Sequence, residues 1–364
     1  MAEPARIGVL TGGGDAPGLN AVIRGVVKAA AQLGWEVLGF EKGYEGLVDP
    51  VHYRPLTPEN TKGILHLGGT ILGTVNRGRF AAKVGLGEER CIDPAILAQA
   101  RETVRALELR GLVCIGGDGS LSIAQQLFDA GVPVVGVPKT IDNDLNATFL
   151  TFGFDSAVAF ATEALDRLHT TACSHERVMC LEVMGRYAGW IALYAGIAGG
   201  ADVILSPEIA WSFDSVIAKI RRRYDSGRRF AIVVVAEGAR WPDGALIAVA
   251  DQSGGKGEVR LGGIGERVAC EIEGRTGIQS RYVVLGHLQR GGPPTTFDRL
   301  LATRFGVSAV RLLAEGRFGR MVSFQPPDIR DVSLEEAVGA LRTVPPDGDI
   351  VRTARALGIC LGDG

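Results

Sequence analysis

Short apolar runs rich in β-branched residues alternate along most of this chain with longer stretches whose apolar residues recur at helical spacing. That alternation is the strongest constraint on the fold, because it is the pattern of parallel strands joined by crossover helices. It places strands at Ile7–Thr11, Glu36–Phe40, Gly111–Ile115, Pro133–Val137, Val178–Val183, Val203–Ser206, Phe230–Ala236 and Arg281–Leu285. Helices are expected at Leu19–Leu33, Pro94–Arg105, Ser122–Ala130, Ser156–His169, Trp190–Ile197, Phe213–Asp225, Ile264–Glu273 and Arg299–Glu315. The fold class that follows is doubly wound α/β.

Ligands of such sheets bind outside the carboxyl ends of the strands, and here those ends are loaded. The first is followed by Gly12-Gly13-Gly14-Asp15-Ala16-Pro17-Gly18, the third by Gly116-Gly117-Asp118-Gly119-Ser120, and the fourth by Pro138-Lys139-Thr140-Ile141-Asp142-Asn143-Asp144. Later strands run into Met184-Gly185-Arg186, Glu237-Gly238 and Gly286-His287-Leu288-Gln289-Arg290-Gly291-Gly292. Glycine numbers 51 of 364 residues, about twice the ordinary share, and the surplus sits in these clusters, where backbone must approach something closely. A chain with only a structural role has no reason to place glycine and charge at six strand ends.

Composition removes several alternatives. With 39 Lys+Arg against 41 Asp+Glu the net charge is −2, which offers nothing to a nucleic-acid backbone. No apolar stretch approaches the ~20 residues of a membrane span, and Ala2–Arg6 lacks the features of a secretory leader, so a cytoplasmic protein is expected. The six cysteines (Cys91, Cys114, Cys173, Cys180, Cys270, Cys360) form no C-x-x-C pair and read as reduced thiols, mostly in the core.

The loops suggest phosphate chemistry. Gly12–Gly14 and Gly116–Gly117 precede helices, so backbone N–H groups and helix N-termini form an anion site. A dinucleotide fingerprint fails because its third glycine position is Pro17, and no G-x-x-x-x-G-K-[ST] motif occurs. Asp118 and Asp144 are hard oxygen ligands suited to Mg²⁺ beside a polyphosphate. Asp142 and Asp144, two apart in an extended segment, should point the same way, so that one holds metal while the other takes a proton from an attacking hydroxyl. Arg177, Arg186, Arg281 and Arg290 near strand ends, with His287 and Glu237, suggest a phosphorylated, hydroxyl-rich substrate. His169 and His175 read as packing or capping residues, Arg221–Arg223 as a solvated helix face, and Trp241–Gly263 as a surface excursion.

Five of these segments together resemble the 6-phosphofructokinase family: Leu10–Asn20, Ile115–Ser120, Pro138–Asp144, Glu182–Arg186 and Leu285–Gly292, in the family's order across almost the whole chain. The resemblance implies two Rossmann-like three-layer α/β/α domains with the active site in the cleft between them. One, 1–153 with about 290–340, would bind the phosphoryl donor; the other, 154–289 with 341–364, fructose 6-phosphate. Asp142 would be the base toward the C1 hydroxyl, with Thr140, Arg186 and the Gly14 N–H stabilising the transferring group. Gly13, Gly14, Gly117, Asp118, Gly119, Ser120, Lys139 and either Arg77 or Arg79 would line the donor, and Asp118 and Asp144 would organise Mg²⁺. Thr140, Asp142, Met184, Gly185, Arg186, Glu237, His287 and Arg290 would contact the sugar phosphate, joined by Arg177 and Arg281 from a neighbouring subunit. At least a dimer, and by expectation a tetramer, follows. The two donor markers conflict: Gly119 resembles users of ATP, Lys139 users of pyrophosphate. ATP is the expected donor, because a missing side chain leaves room for the α-phosphate and an added Lys does not forbid nucleotide; pyrophosphate is the alternative. A relative of NAD or lipid kinases would explain Gly116–Gly119 but not Pro138–Asp144, and a silent sugar-phosphate-binding regulator would have no use for Asp142.

Overall fold

The computed structural model describes residues 5–75, 78–80, 83–84, 88–89, 91–247 and 261–364. The chain opens with β1 (Arg6–Thr11), α1 (Leu19–Gln32), β2 (Glu36–Phe40) and β3 (Tyr53–Leu56). A two-residue pair, β4 (Lys83–Val84) and β5 (Glu88–Glu89), precedes α2 (Pro94–Ala106), β6 (Leu109–Gly116), α3 (Asp118–Asp129) and β7 (Val134–Pro138). There follow α4 (Phe154–His175), β8 (Val178–Val183), α5 (Trp190–Ala198), β9 (Val203–Leu205), α6 (Phe213–Asp225), β10 (Ala231–Ala236), α7 (Ile264–Thr276) and β11 (Ser280–Val284). The remainder is α8 (Thr296–Ala314), β12 (Arg320–Gln325), β13 (Asp328–Ser333), α9 (Leu334–Val338) and α10 (Asp349–Ala356).

These elements form two units. The first comprises Met1–Ile141, Leu145–Ser156 and Arg290–Leu341; the second Asp142–Asp144, Ala157–Gln289 and Arg342–Gly364. Among the described residues the first unit holds a seven-stranded sheet in the order β13-β12-β7-β6-β1-β2-β3. Its centre is parallel, while β3 and β13 run antiparallel at the edges. Alternate side chains of each strand enter opposite faces: Ile7 and Val9 pack with Val22, Val26 and Phe305 of α1 and α8, and Leu10, Leu112 and Cys114 with α2, α3 and α9. Helices therefore cover both faces, as buried parallel strands require.

The second unit carries a parallel four-stranded sheet, β11-β8-β10-β9. Val178, Cys180, Val233 and Val235 meet Val216, Ile220, Val268 and Ile272 of α6 and α7 on one face; α5 packs over β9 and β10 on the other. Both units are thus doubly wound α/β.

Several local readings change. The edge strands β3 and β13 escape the periodicity search because both have exposed positions and lie on no βα repeat; β12, buried between β13 and β7, is a further strand that the search missed. Asp118 and Gly119 belong to the first turn of α3 rather than to the loop before it. Arg223 is no solvated residue: its guanidinium lies 2.8 Å from the buried Asp202 carboxylate and over the Phe230 ring. Trp241 is half-buried and stacks edge-on with Trp211 and Phe213, while 242–246 after it are exposed, as expected of a surface excursion; 248–260 lie outside the described residues. Of the cysteines only Cys114 and Cys180 are buried, and Cys91, Cys173 and Cys270 are exposed. Burial pushes the two core thiols up to about 12. His169 is a packing residue, with Nε2 at 2.7 Å from the Gly199 carbonyl and its ring edge-on to Phe230; His175 closes α4.

Candidate active site

In the first unit three loops converge on Ser120. The Gly12 N–H donates to the Ile115 carbonyl at 2.8 Å, which seats the β1 loop on the end of β6. A Cβ on Gly12 or Gly116 would stand 2.7 Å from the Ser120 Oγ, so neither position has room for a side chain. Gly13, at φ 74°, takes the left-handed turn that only glycine adopts without strain. The Lys139 side chain is buried and donates to the Gly14 carbonyl, which brings a cation into the glycine loop. From beneath, the buried Tyr44 hydroxyl donates to the Ser120 carbonyl at 2.6 Å, fixing the N-terminal turn of α3, where Gly117 is the cap and Asp118 the first-turn acid. Open amides of that turn favour an anion.

A third segment is sewn on by side chains far away in sequence. Asn20 donates to the Leu67 and Gly68 carbonyls and accepts from Ile71 N–H at 2.8 Å; Thr11 bonds Thr70 and the Gly73 carbonyl; Thr74 donates to the Gly13 carbonyl at 2.5 Å. Nothing in the local pattern marks Asn20, Tyr44 or Thr74 for these tasks. This segment leads to the two rival arginines. Arg79 is committed elsewhere, with Nε at 2.8 Å from Glu45 and Nη1 on the Asp49 carbonyl; Arg77 lies outside the described residues. Arg290 also belongs to this unit, and its Nη1 donates to the Asp15 carbonyl at 3.2 Å, lying against the first glycine loop. Thr140 is held through its carbonyl by the Thr151 hydroxyl at 2.7 Å.

The second unit presents Met184, Gly185, Arg186, Glu237 and His287 at the carboxyl ends of β8, β10 and β11. Buried Gln289 accepts the Met184 N–H at 2.7 Å, a role its neighbours in the motif do not reveal. Gly238 N–H donates to the Gly185 carbonyl at 3.1 Å, and a Cβ on Gly238 would fall 2.0 Å from the Arg186 carbonyl, so the Glu237 loop lies directly on the Arg186 loop. The Glu182 carboxylate, buried near the end of β8, accepts from Gly263 and Gly265 at the start of α7; burial raises its pKa above the ordinary range.

Asp142-Asn143-Asp144 also belongs to this unit. Asn143 has φ 51°, so the segment is turned rather than extended, and alternation does not decide which way its carboxylates point. A non-glycine residue in the left-handed region costs free energy and tends to mark a working loop. Arg177 and Arg281, by contrast, stand at the amino ends of β8 and β11, at the far end of strands that rise ~3.3 Å per residue. Within one chain they are not brought to Arg186, Glu237 and His287. Arg177 bonds Gln279 at 2.6 Å, and Arg281 lies on the exposed edge strand beside Glu273.

Among the described residues no three His, Cys, Asp or Glu side chains gather into a metal cage. Asp118 at the start of α3 and Asp144 in the second unit are each a hard oxygen donor of the kind Mg²⁺ takes, substrate phosphates and water completing its shell. No described helix is long and apolar enough to cross a membrane.

Comparison with known proteins agrees with this architecture. The chain is 53% identical over 358 residues to the ATP-dependent 6-phosphofructokinase of Chloroflexus aggregans, covering 98% of each. It is 51% identical over 344 residues to the pyrophosphate–fructose 6-phosphate 1-phosphotransferase of Amycolatopsis methanolica, covering 94% of this chain and 97% of that one. The solved T-state phosphofructokinase of Pichia pastoris superposes with a TM-score of 0.79 at 31% identity, covering 99% of this chain and 37% of the longer yeast chain. The phosphofructokinase family model matches residues 6–313, and the chain belongs to the phosphofructokinase family.

Proposed function

We propose that the protein transfers the terminal phosphoryl group of ATP to the C1 hydroxyl of fructose 6-phosphate. The observation that carries this reading is the set of glycine loops packed around Ser120 at the N-terminus of α3 and supplied with the Lys139 cation, in a chain whose 53%-identical relative bears that activity in its name. The loops of the first unit are the donor half: Gly13, Gly14, Gly117, Asp118, Gly119 and Ser120 take the phosphates, with Arg77 as the remaining arginine of its segment now that Arg79 is paired with Glu45. Met184, Gly185, Arg186, Glu237 and His287 take the sugar phosphate, with Arg290.

Asp142 accepts the proton of the C1 hydroxyl as that oxygen attacks the γ-phosphorus and the bond to the β-phosphate oxygen breaks, releasing ADP. Thr140, Arg186 and the Gly14 N–H meet the charge on the transferring group; such transfer is catalysed almost wholly by positioning and electrostatics. Asp118 and Asp144 would hold Mg²⁺, which neutralises phosphate charge when bound. Arg177 and Arg281, at the wrong end of their sheet for their own chain, serve a neighbouring copy, so the active species is an oligomer, a dimer at least and by this reading a tetramer. The Lys139 contact favours keeping pyrophosphate as a second reading for the donor.

The base assignment is tested with Asp142→Asn in a coupled assay. Turnover should fall by at least ~10²-fold while KM for fructose 6-phosphate changes little; turnover within threefold of the parent removes Asp142 from the role.

A further inference from the structure

Residues 342–344 of the second unit run beside two of the loops just described. The Arg342 N–H donates to the Asp144 carbonyl at 2.8 Å. Its own carbonyl accepts from the Trp190 indole Nε1 at 3.1 Å, and its guanidinium lies 4.7 Å above the same ring. Two residues on, Val344 N–H donates to Glu208 Oε1 at 2.9 Å, and the same oxygen takes the Gly189 N–H at 2.9 Å. Gly189 and Trp190 close the loop that carries Arg186 and open α5. One indole and one carboxylate therefore connect the Asp142–Asp144 turn to the Arg186 loop through the backbone of 342–344.

Packing alone does not account for these residues. Trp190 is 5% exposed, and a phenyl ring would fill most of its volume without needing a partner for an N–H. Glu208 keeps Oε2 buried without a hydrogen-bond partner, an unfavourable arrangement retained while Oε1 ties two backbone segments together. The turn they hold contains left-handed Asn143, a strained conformation that persists only when its surroundings over-determine it.

We infer that Trp190 and Glu208 are positioning residues: through 342–344 they fix Asp142 and Asp144 relative to Arg186. The inference rests on the reading of Asp142 as base and Asp144 as Mg²⁺ ligand given above. Small displacements of reacting groups are costly, with about 1 Å capable of a 10²-fold loss.

The test is Trp190→Phe, which keeps an aromatic face for Arg342 and removes the N–H. Expected are a fall in kcat of at least ~10-fold and a rise in apparent KM for Mg²⁺ of at least ~5-fold, with KM for fructose 6-phosphate within twofold and the melting temperature close to the parent's. Glu208→Gln retains an oxygen for both amides and should keep kcat within threefold, whereas Glu208→Ala should repeat the Trp190→Phe signature. A folded Trp190→Phe protein with kcat and the Mg²⁺ constant unchanged overturns the inference, as does a loss confined to KM for the sugar. If Trp190→Phe does not fold, the Glu208 pair decides by the same readouts. If the parent does not turn over fructose 6-phosphate, the functional reading has failed; calorimetric titration with Mg²⁺ alone then tests the inference separately, through at least ~5-fold weaker binding in Glu208→Ala than in Glu208→Gln, and equal binding overturns it.

Discussion

Gly119→Asp separates stability from donor choice because the structure gives the two effects opposite signs. A Cβ at Gly119 would meet nothing within 4 Å, and the residue is second in α3. An aspartate there replaces a poor helix former, for a gain of ~0.3 kcal/mol. It also adds a carboxylate to the positive end of the helix, worth ~0.3–1 kcal/mol. Asp118 precedes it, but adjacent helical residues do not face each other. The variant should therefore fold with a melting temperature unchanged or raised by roughly 1–4 °C. Toward ATP the new carboxylate is unfavourable. A unit charge about 5 Å from a phosphate charge at an effective dielectric of about 20 is opposed by ~3 kcal/mol, and side-chain rotation and screening reduce that to a floor of ~1.4 kcal/mol, or ~10-fold in kcat/KM. Pyrophosphate, with no third phosphate, should suffer less. Both donors are measured at saturating fructose 6-phosphate beside a thermal melt. Unchanged ATP efficiency in a folded variant refutes the claim that space at Gly119 selects the donor; a melting temperature lowered by several degrees refutes the steric part.

Two further predictions concern the scaffold and the assembly. Burial holds the Asp298 carboxyl up at about 6, against donation from the Ser156 N–H and hydroxyl. A folded-state pKa above the unfolded 3.8 means that its contribution is fully present below about 4 and lost as pH rises through about 6. Asp298→Asn should flatten that segment of the stability curve, by at most about 3 kcal/mol, and parallel pH profiles for the two proteins would remove Asp298 as the cause. Mixing inactive Asp142→Asn subunits with inactive Arg281→Ala subunits should restore activity, because some sites then draw both intact residues from different chains; hybrids that form and stay inactive contradict the cross-subunit role of Arg281.

The α/β class and the loops that matter were legible in sequence, because parallel strands buried on both faces and glycines at their carboxyl ends are local patterns. What was not legible depends on partners far along the chain. Asn20 holds Ile71, Tyr44 holds Ser120, Gln289 holds Met184, and Glu208 holds Val344. Each is a side chain bonding backbone 50 to 140 residues away, and no period or spacing encodes that. Arg223 misled for the same reason: three arginines on a helix read as a solvated face until Asp202, 21 residues earlier, is folded beneath one of them. The Asp142–Asp144 turn misled differently, since Asn143 takes a left-handed conformation that a two-residue period does not anticipate.

Phosphoryl transfer to fructose 6-phosphate is decided by incubating the purified protein with that sugar and Mg²⁺, once with ATP and once with pyrophosphate, and following the phosphorus spectrum of the products. Fructose 1,6-bisphosphate and ADP should accumulate in equal amounts with ATP, and faster than product forms with pyrophosphate. Bisphosphate formed from pyrophosphate alone would contradict the donor assignment, and no bisphosphate from either would contradict the function.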